Sequence, residues 1–146
     1  MSGIVVGLDG SGHSDRALEW AAREAALRQV PLTVLTVHQP AIAYLGGAVD
    51  NDLDRPVTER VQNVAEQLTD GVLHRLETAP PRVTVQSVGG SPAQELLNAS
   101  KDADMLVVGS RGAGGFARLV MGSVSAQVAQ HAPCPVAVIP AENRSQ

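Results

Sequence analysis

Two short stretches of this chain carry residue types able to do chemistry on a small ligand. The longer is Gly109-Ser110-Arg111-Gly112-Ala113-Gly114-Gly115, followed downstream by Gly122-Ser123. Glycines permit positive φ and close backbone approach, so successive N–H groups in such a loop can converge into an anion-binding concavity. Ser123 is placed to cap a helix, and a helix N-terminus adds unpaired N–H donors and about half a positive charge. Together these features describe a cradle for phosphate oxygens. Taken alone, the glycines equally describe a surface loop with a capped helix behind it. The shorter stretch is Asp9-Gly10-Ser11-Gly12. Asp9 reads either as a ligand contact or as a turn former at a helix entry.

Familiar phosphate motifs narrow the chemistry. A Walker A loop needs a lysine and a hydroxyl after its second glycine, but Gly114 is followed by Gly115-Phe116, which excludes a P-loop NTPase. Gly112-x-Gly114-x-x-Ala117 fits the loose dinucleotide fingerprint. It follows the fourth strand of the chain, however, and no acidic residue ends a strand about 20 residues later, so the match is accidental.

Catalytic groups are scarce around the glycines. From Met105 to Ala141 there is no Asp or Glu, and His131 is the sole histidine. A hydrolase needs a group to position or deprotonate water and charge to stabilise the transferred phosphoryl. Asp9, and with it Asp15, are the acids that could approach the loop, and Asp15 serves equally well as a favourable charge in a first helical turn. Binding is therefore expected, with hydrolysis slow or incidental and no catalytic residue assigned. His13, His38, His74 and His131 are too scattered for a metal cluster and read as surface or satisfied polar groups. Cys134, between two prolines, reads as packing, and Trp20 as core or interface. Arg111 and Arg118 are either solvated loop charges or phosphate contacts.

The elements that must position these groups alternate along the chain. Ile4–Leu8 is a short apolar strand closed by the first glycine turn. Residues 14–29 carry Leu18, Ala21, Ala22 and Ala25 at helical spacing. Leu32–Val37 is a β-branched strand ending at His38-Gln39-Pro40, and residues 39–56 form a loop without sustained period. Val57, Val61, Val64, Ala65, Leu68 and Val72 mark a second amphipathic helix that Pro80-Pro81 terminates. Val83–Val88 is a third strand. Ser91-Pro92-Ala93-Gln94 has capping-box spacing with proline in the first helical position, which starts a third helix running to about Lys101. Met105–Val108 is a fourth strand, apolar throughout and so covered on both faces. Ser123–His131 reads as a helix and Pro135–Ile139 as a last strand.

This β-α-β-α-β-α-β-α-β order predicts one α/β domain over residues 1–146, a parallel sheet with right-handed crossovers and helices on both faces. In such sheets ligands sit beyond the carboxyl ends of the strands, where the strand order reverses. If strands one and four are neighbours, Asp9-Gly10-Ser11 and the glycine segment line one crevice.

Composition bounds the partners. The 146 residues are 44% hydrophobic and 18% charged, too apolar for a disordered chain. Only 2% are aromatic and the net charge is −4, which argues against base-stacking platforms and a broad basic surface, hence against nucleic acid. A single cysteine, no leader-like start and no apolar run near the roughly 20 residues of a membrane span point to a cytoplasmic protein away from membranes.

Gly109-Ser110-Arg111-Gly112, nine residues, then Gly122-Ser123 resembles the Gly-x2-Gly-x9-Gly-Ser/Thr motif of ATP-binding universal stress proteins. The resemblance extends to Val6-Gly7-Leu8-Asp9-Gly10-Ser11, to Ala103-Asp104-Met105-Leu106-Val107-Val108 and to Pro133-Cys134-Pro135-Val136. It implies an open five-stranded, Rossmann-like sheet in order 3-2-1-4-5, and ATP with Mg²⁺ at the switch point between strands one and four. Carried over by position, Asp9 would contact the ribose or the metal-phosphate end and Val37 would meet the adenine. Gly109, Gly112, Gly122 and Ser123 would hold phosphates, with Arg111 offsetting charge and Ser125 an additional donor. It also implies a homodimer through the last strand, Val136–Ile139, and a regulatory protein partner that reads nucleotide occupancy. Other readings are an AMP or cyclic AMP receptor, a slow ATPase or adenylating enzyme of the same fold group, and a nucleotide-free scaffold dimer. The Ser-Gly-Gly-x-Asp-Ser loop of the pyrophosphatase enzymes is absent after the first strand.

Overall fold

The computed structural model describes residues 3–8, 15–38, 55–110 and 123–140. Its elements are β1 (Ile4–Leu8), α1 (Asp15–Arg28), β2 (Leu32–His38), α2 (Arg55–His74), β3 (Val83–Gly89), α3 (Pro92–Ala99), β4 (Met105–Gly109), α4 (Ser123–His131) and β5 (Val136–Ile139). The five strands pair in parallel in the order β3-β2-β1-β4-β5. Fold class, strand order and helical crossovers are as the sequence and its resemblance implied.

Strand alternation divides the core between the two faces of the sheet. Ile4, Val6, Leu8, Leu32, Val34 and Val107 pack with Leu18, Ala21, Ala22, Ala25, Ala65 and Val72, so α1 and α2 cover one face. Val5, Leu35, Val37, Leu106 and Val108 pack with Ala93, Leu96 and Val128, so α3 and α4 cover the other. The central strands are thus apolar in both directions, as parallel sheets require. Alanines on the inner stripe of α1 bring that helix close to β1. On the opposite face Gly7 does the same for α3, since a Cβ there would meet Leu96 Cδ2 at 2.7 Å.

Trp20 is not part of the core, which leaves the interface reading of the two expected. It falls on the outer face of α1 and is 36% exposed, because the inner stripe is filled by Leu18, Ala21, Ala22 and Ala25.

Local signals explain the element ends. α1 closes with Gln29 at φ 53°, while Val30 N–H donates to Ala25 O at 3.0 Å and Gln29 N–H to Ala26 O at 3.2 Å. That is a Schellman closure with glutamine in the left-handed position. The Gln29 amide adds bonds to Ala26 O and Ala79 O. Ser91 stands at the N-cap of α3 with Pro92 behind it, yet its hydroxyl makes no capping bond. The expected capping box does not form, because Gln94 donates along the helix to Asn98 Oδ1 at 3.2 Å instead of reaching back. α3 stops at Ala99, and one 3₁₀ turn over Ser100–Asp102 leads into β4.

Candidate functional site at the carboxyl ends of β1 and β4

The ladder between β1 and β4 runs from Ile4↔Met105 only as far as Val6↔Val107. On its other side β1 stays paired with β2 to Leu8↔Thr36, and β4 stays paired with β5 to Gly109↔Ile139. The two central strands therefore part company before their ends. Ser110 N–H donates to Ile139 O at 2.9 Å, which carries the start of the glycine segment toward β5. This is where the crossovers turn in opposite directions, the topological switch point at which open α/β sheets have their ligand crevice.

Of the residues expected to serve this site, Gly109 ends β4 and is half-buried, while Ser123 opens α4 and is exposed. Ser123 is thus the first helical residue, with its own N–H among the unpaired donors of the first turn. Ser125 lies one step further in and is buried at 3% exposure, as is Val37 at 8%, near the end of β2. Val37 contributes to the core beneath α3 and α4. Asp9, Arg111, Gly112 and Gly122 lie outside the described residues, as do Gly10, Ser11 and Arg118.

Beside the crevice, the end of β2 is tied down by contacts that sequence reading did not single out. His38 Nε2 and Thr58 Oγ1 of α2 share a hydrogen bond of 2.8 Å, and the His38 carbonyl accepts from Gly90 N–H at 2.9 Å. The imidazole lies over Gly89, where a Cβ would meet its Cε1 at 3.4 Å. This bears out the reading of His38 as a satisfied polar group. Its partner was invisible in sequence because Thr58 is 20 residues away on another element. Among the described residues, Thr36 Oγ1 and Ser87 Oγ are buried side-chain oxygens without a hydrogen-bond partner.

Three further candidates have the following surroundings. Burial raises the Cys134 thiol above its ordinary value, against hydrogen bonds from Ser100 and Leu106, so it stays protonated and a poor nucleophile. His74 Nδ1 pairs with Asp70 O of its own helix, and His131 is exposed at the end of α4. Among the described residues no group of three or more His, Cys, Asp or Glu could hold a metal ion. No described helix is long and apolar enough to cross a membrane.

Comparison with known proteins decides the lineage. The model of the universal stress protein family matches residues 1–140. The chain belongs to the universal stress protein family. Universal stress protein Rv2623 of Mycobacterium tuberculosis is 36% identical over 142 residues, which cover 94% of this chain and 47% of that protein. The chain spans about half the length of the curated relatives it matches. Among solved structures, the universal stress protein UspA of Lactobacillus plantarum is 25% identical with a TM-score of 0.68, covering 94% of this chain and 97% of that one. A universal stress protein solved in complex with cAMP is 26% identical with a TM-score of 0.66, covering 95% and 96%. The nucleotide in that neighbour belongs to a protein of this family and this fold.

Proposed function

We propose that this universal stress protein binds an adenine nucleotide in the β1/β4 crevice and acts as a regulator read out by occupancy. The observation that carries the reading is the early end of the β1–β4 ladder at Val6↔Val107. It leaves a gap flanked by Gly109 and by the first turn of α4. ATP with Mg²⁺ is the ligand we assign first. The backbone of Gly109, Gly112 and Gly122 and the hydroxyls of Ser123 and Ser125 would bind phosphates, Arg111 would offset their charge, Val37 would contact adenine and Asp9 the ribose or the metal-phosphate end. Bound magnesium would supply charge neutralisation. The chain's own residues bind and orient, and the absence of acids in the sequence from Met105 to Ala141 supports a binding role over turnover. Multiple-turnover phosphate release at about 1 per second or more would remove that part of the reading.

A second reading, a receptor for cyclic AMP or AMP, is favoured by the neighbour solved with cAMP. For assembly, β5 is an outer strand whose residues Val136–Ile139 are all half-buried. Such an edge invites a second copy, and we assign homodimer formation to it, with a regulatory protein as the downstream reader.

Thermal unfolding of nucleotide-stripped protein separates these readings. A ligand present at a hundredfold over its Kd adds about 2.7 kcal/mol, a rise of roughly 5–10 °C for a domain of this size. A rise with Mg-ATP that Gly112→Val removes supports the cradle. A rise confined to cyclic AMP or AMP moves the function to the second reading. No rise with any of them at millimolar concentration leaves the family and removes the proposed function.

A further inference from the structure

Thr36 and Ser87 stand side by side in the ladder between β2 and β3, in one row with Leu8 of β1. By alternation with Val34 and Val85, both hydroxyls point to the face that α1 and α2 cover. Thr36 is 3% exposed, and neither Thr36 Oγ1 nor Ser87 Oγ has a hydrogen-bond partner. Thr69 of α2, equally buried, solves the same problem by donating to Ala65 O at 2.7 Å, one helical turn back. A strand gives its hydroxyls no such carbonyl, so Thr36 and Ser87 depend on whatever lies over them.

The front of α2 reaches these strands on either side of that row, at His38 and at Val85, and it is held differently from the rest of that helix. From Ala65 onward α2 is seated by buried apolar residues, Ala65 and Val72 with Leu68 and Leu73. Ahead of Ala65 no described residue is fully buried, Val61 being only half-buried, and two hydrogen bonds reach the sheet: Thr58 Oγ1 with His38 Nε2, and Gln62 Nε2 donating to Val85 O, each at 2.8 Å. Lifting this segment exchanges those two bonds for bonds to water, which costs little net, and hydrates two hydroxyls that are otherwise unpaired. Opening of this kind is drawn from the least apolar contacts of a structure.

We propose that the segment Thr58–Gln62 of α2 is a hinged readout element that lifts from the ends of β2 and β3, and that nucleotide in the β1/β4 crevice holds it down. The hinge is at Ala65, where apolar seating begins. The coupling runs through the end of β2, since Val37 is the residue assigned to adenine and His38, next to it, carries the bond to Thr58. This second clause rests on the nucleotide reading, while the first does not.

Hydrogen exchange on the full chain tests both. Without nucleotide, the amides of residues 59–64 should exchange at least about tenfold faster than those of residues 69–73. Thr36→Val with Ser87→Ala removes the unpaired hydroxyls at nearly constant shape. It should raise Tm and slow exchange at 59–64 about tenfold. Thr58→Val should speed exchange at 59–64 about fivefold with no comparable change at 69–73. A lower Tm in the double variant, or unchanged exchange at 59–64, overturns the hinge. With Mg-ATP or cyclic AMP, a Tm rise accompanied by added protection at 59–64 supports the coupling, and a Tm rise without it overturns the coupling. Absence of any Tm rise overturns the coupling together with the nucleotide reading, and the nucleotide-free comparison still decides the hinge.

Discussion

At the amino ends of the strands, backbone groups close the sheet from one edge to the other. Leu32 N–H donates to Arg82 O, Ile4 N–H to Pro31 O and Leu106 N–H to Pro135 O, at 2.8 to 2.9 Å. Gly3 and Asp104 add a reciprocal pair: Gly3 N–H donates to Asp104 Oδ2 at 3.0 Å and Asp104 N–H to Gly3 O at 2.7 Å. At the carboxyl ends β1 and β4 separate, the end of β2 is fastened through a histidine side chain, and two hydroxyls stay unpaired. One end of the sheet is closed mainly by backbone groups, with Gly3 and the Asp104 carboxylate completing it. The other is left to particular side chains and glycines, which is where a family can vary its ligand without endangering its fold.

The sharpest way to break this division is to place the same small change at each end. Gly3 has φ +89°, and a Cβ there would fall 2.2 Å from Pro31 O, a backbone atom that cannot swing away. Gly3→Ala therefore has to displace the Gly3–Asp104–Pro31 junction. The expected cost is about 3 kcal/mol or more, from left-handed strain and lost backbone bonds. A urea melt should show it, with nucleotide affinity of the folded protein unchanged. Gly112→Val with Gly122→Val should do the opposite. Calorimetric titration should find at least about a hundredfold loss of nucleotide affinity, or about 2.7 kcal/mol, with the urea midpoint of the nucleotide-free protein barely moved. A loss of stability at the carboxyl end as large as that of Gly3→Ala would mean that the glycine segment is part of the scaffold.

The two ends also differ in how far they could be read from sequence. The apolar strands and the limits of α4 were legible because hydrophobic periodicity and proline positions are local signals, whereas strand order came only with the family resemblance. The glycine spacing was legible as a resemblance, and phosphate binding by it is our proposal. The His38–Thr58 bond and the Thr36–Ser87 row were not, since each joins elements whose pairing register emerges only in the folded sheet. The capping box at Ser91 was legible and wrong: spacing permits that motif, but the rotamer of Gln94 decides it. Trp20 is kept out of the core for a reason that is just as invisible in sequence. Helical period places residues on faces, and here the inner face was already filled by smaller side chains.

Away from both ends, Gly71 measures what a glycine does without a structural task. It lies inside α2, and a Cβ added there meets nothing within 4 Å. Gly71→Ala should stabilise the protein by about 0.5–1 kcal/mol through helix propensity and reduced freedom of the unfolded chain. Thermal unfolding should rise by a few degrees. No rise would mean that the gain in helix propensity at Gly71 is offset by a change in the unfolded chain.

The smallest effect belongs to Glu19, which joins α1 to the residues just after α2. Its carboxylate accepts from Arg23 Nε and Nη2 at 3.1 and 2.8 Å and from Arg75 Nη2 at 3.1 Å. The hydrogen bond from Arg23 and then that from Arg75 hold its pKa below the ordinary 4.5, partly opposed by burial. A carboxylate whose pKa is depressed in the folded state adds stability above the unfolded value and loses it as pH falls through the folded one. All three side chains are a third or more exposed, so solvent and salt reduce the contribution to about 0.5 kcal/mol or less. Glu19→Gln should lower Tm by about 1–2 °C at pH 7, and the difference should shrink toward pH 3 and in 1 M NaCl. A penalty that survives both conditions would show that Glu19 acts through packing between α1 and α2, not through its charge. The rear of α2 would then owe its firm seat to shape alone, which would widen the contrast with the polar attachments at its front.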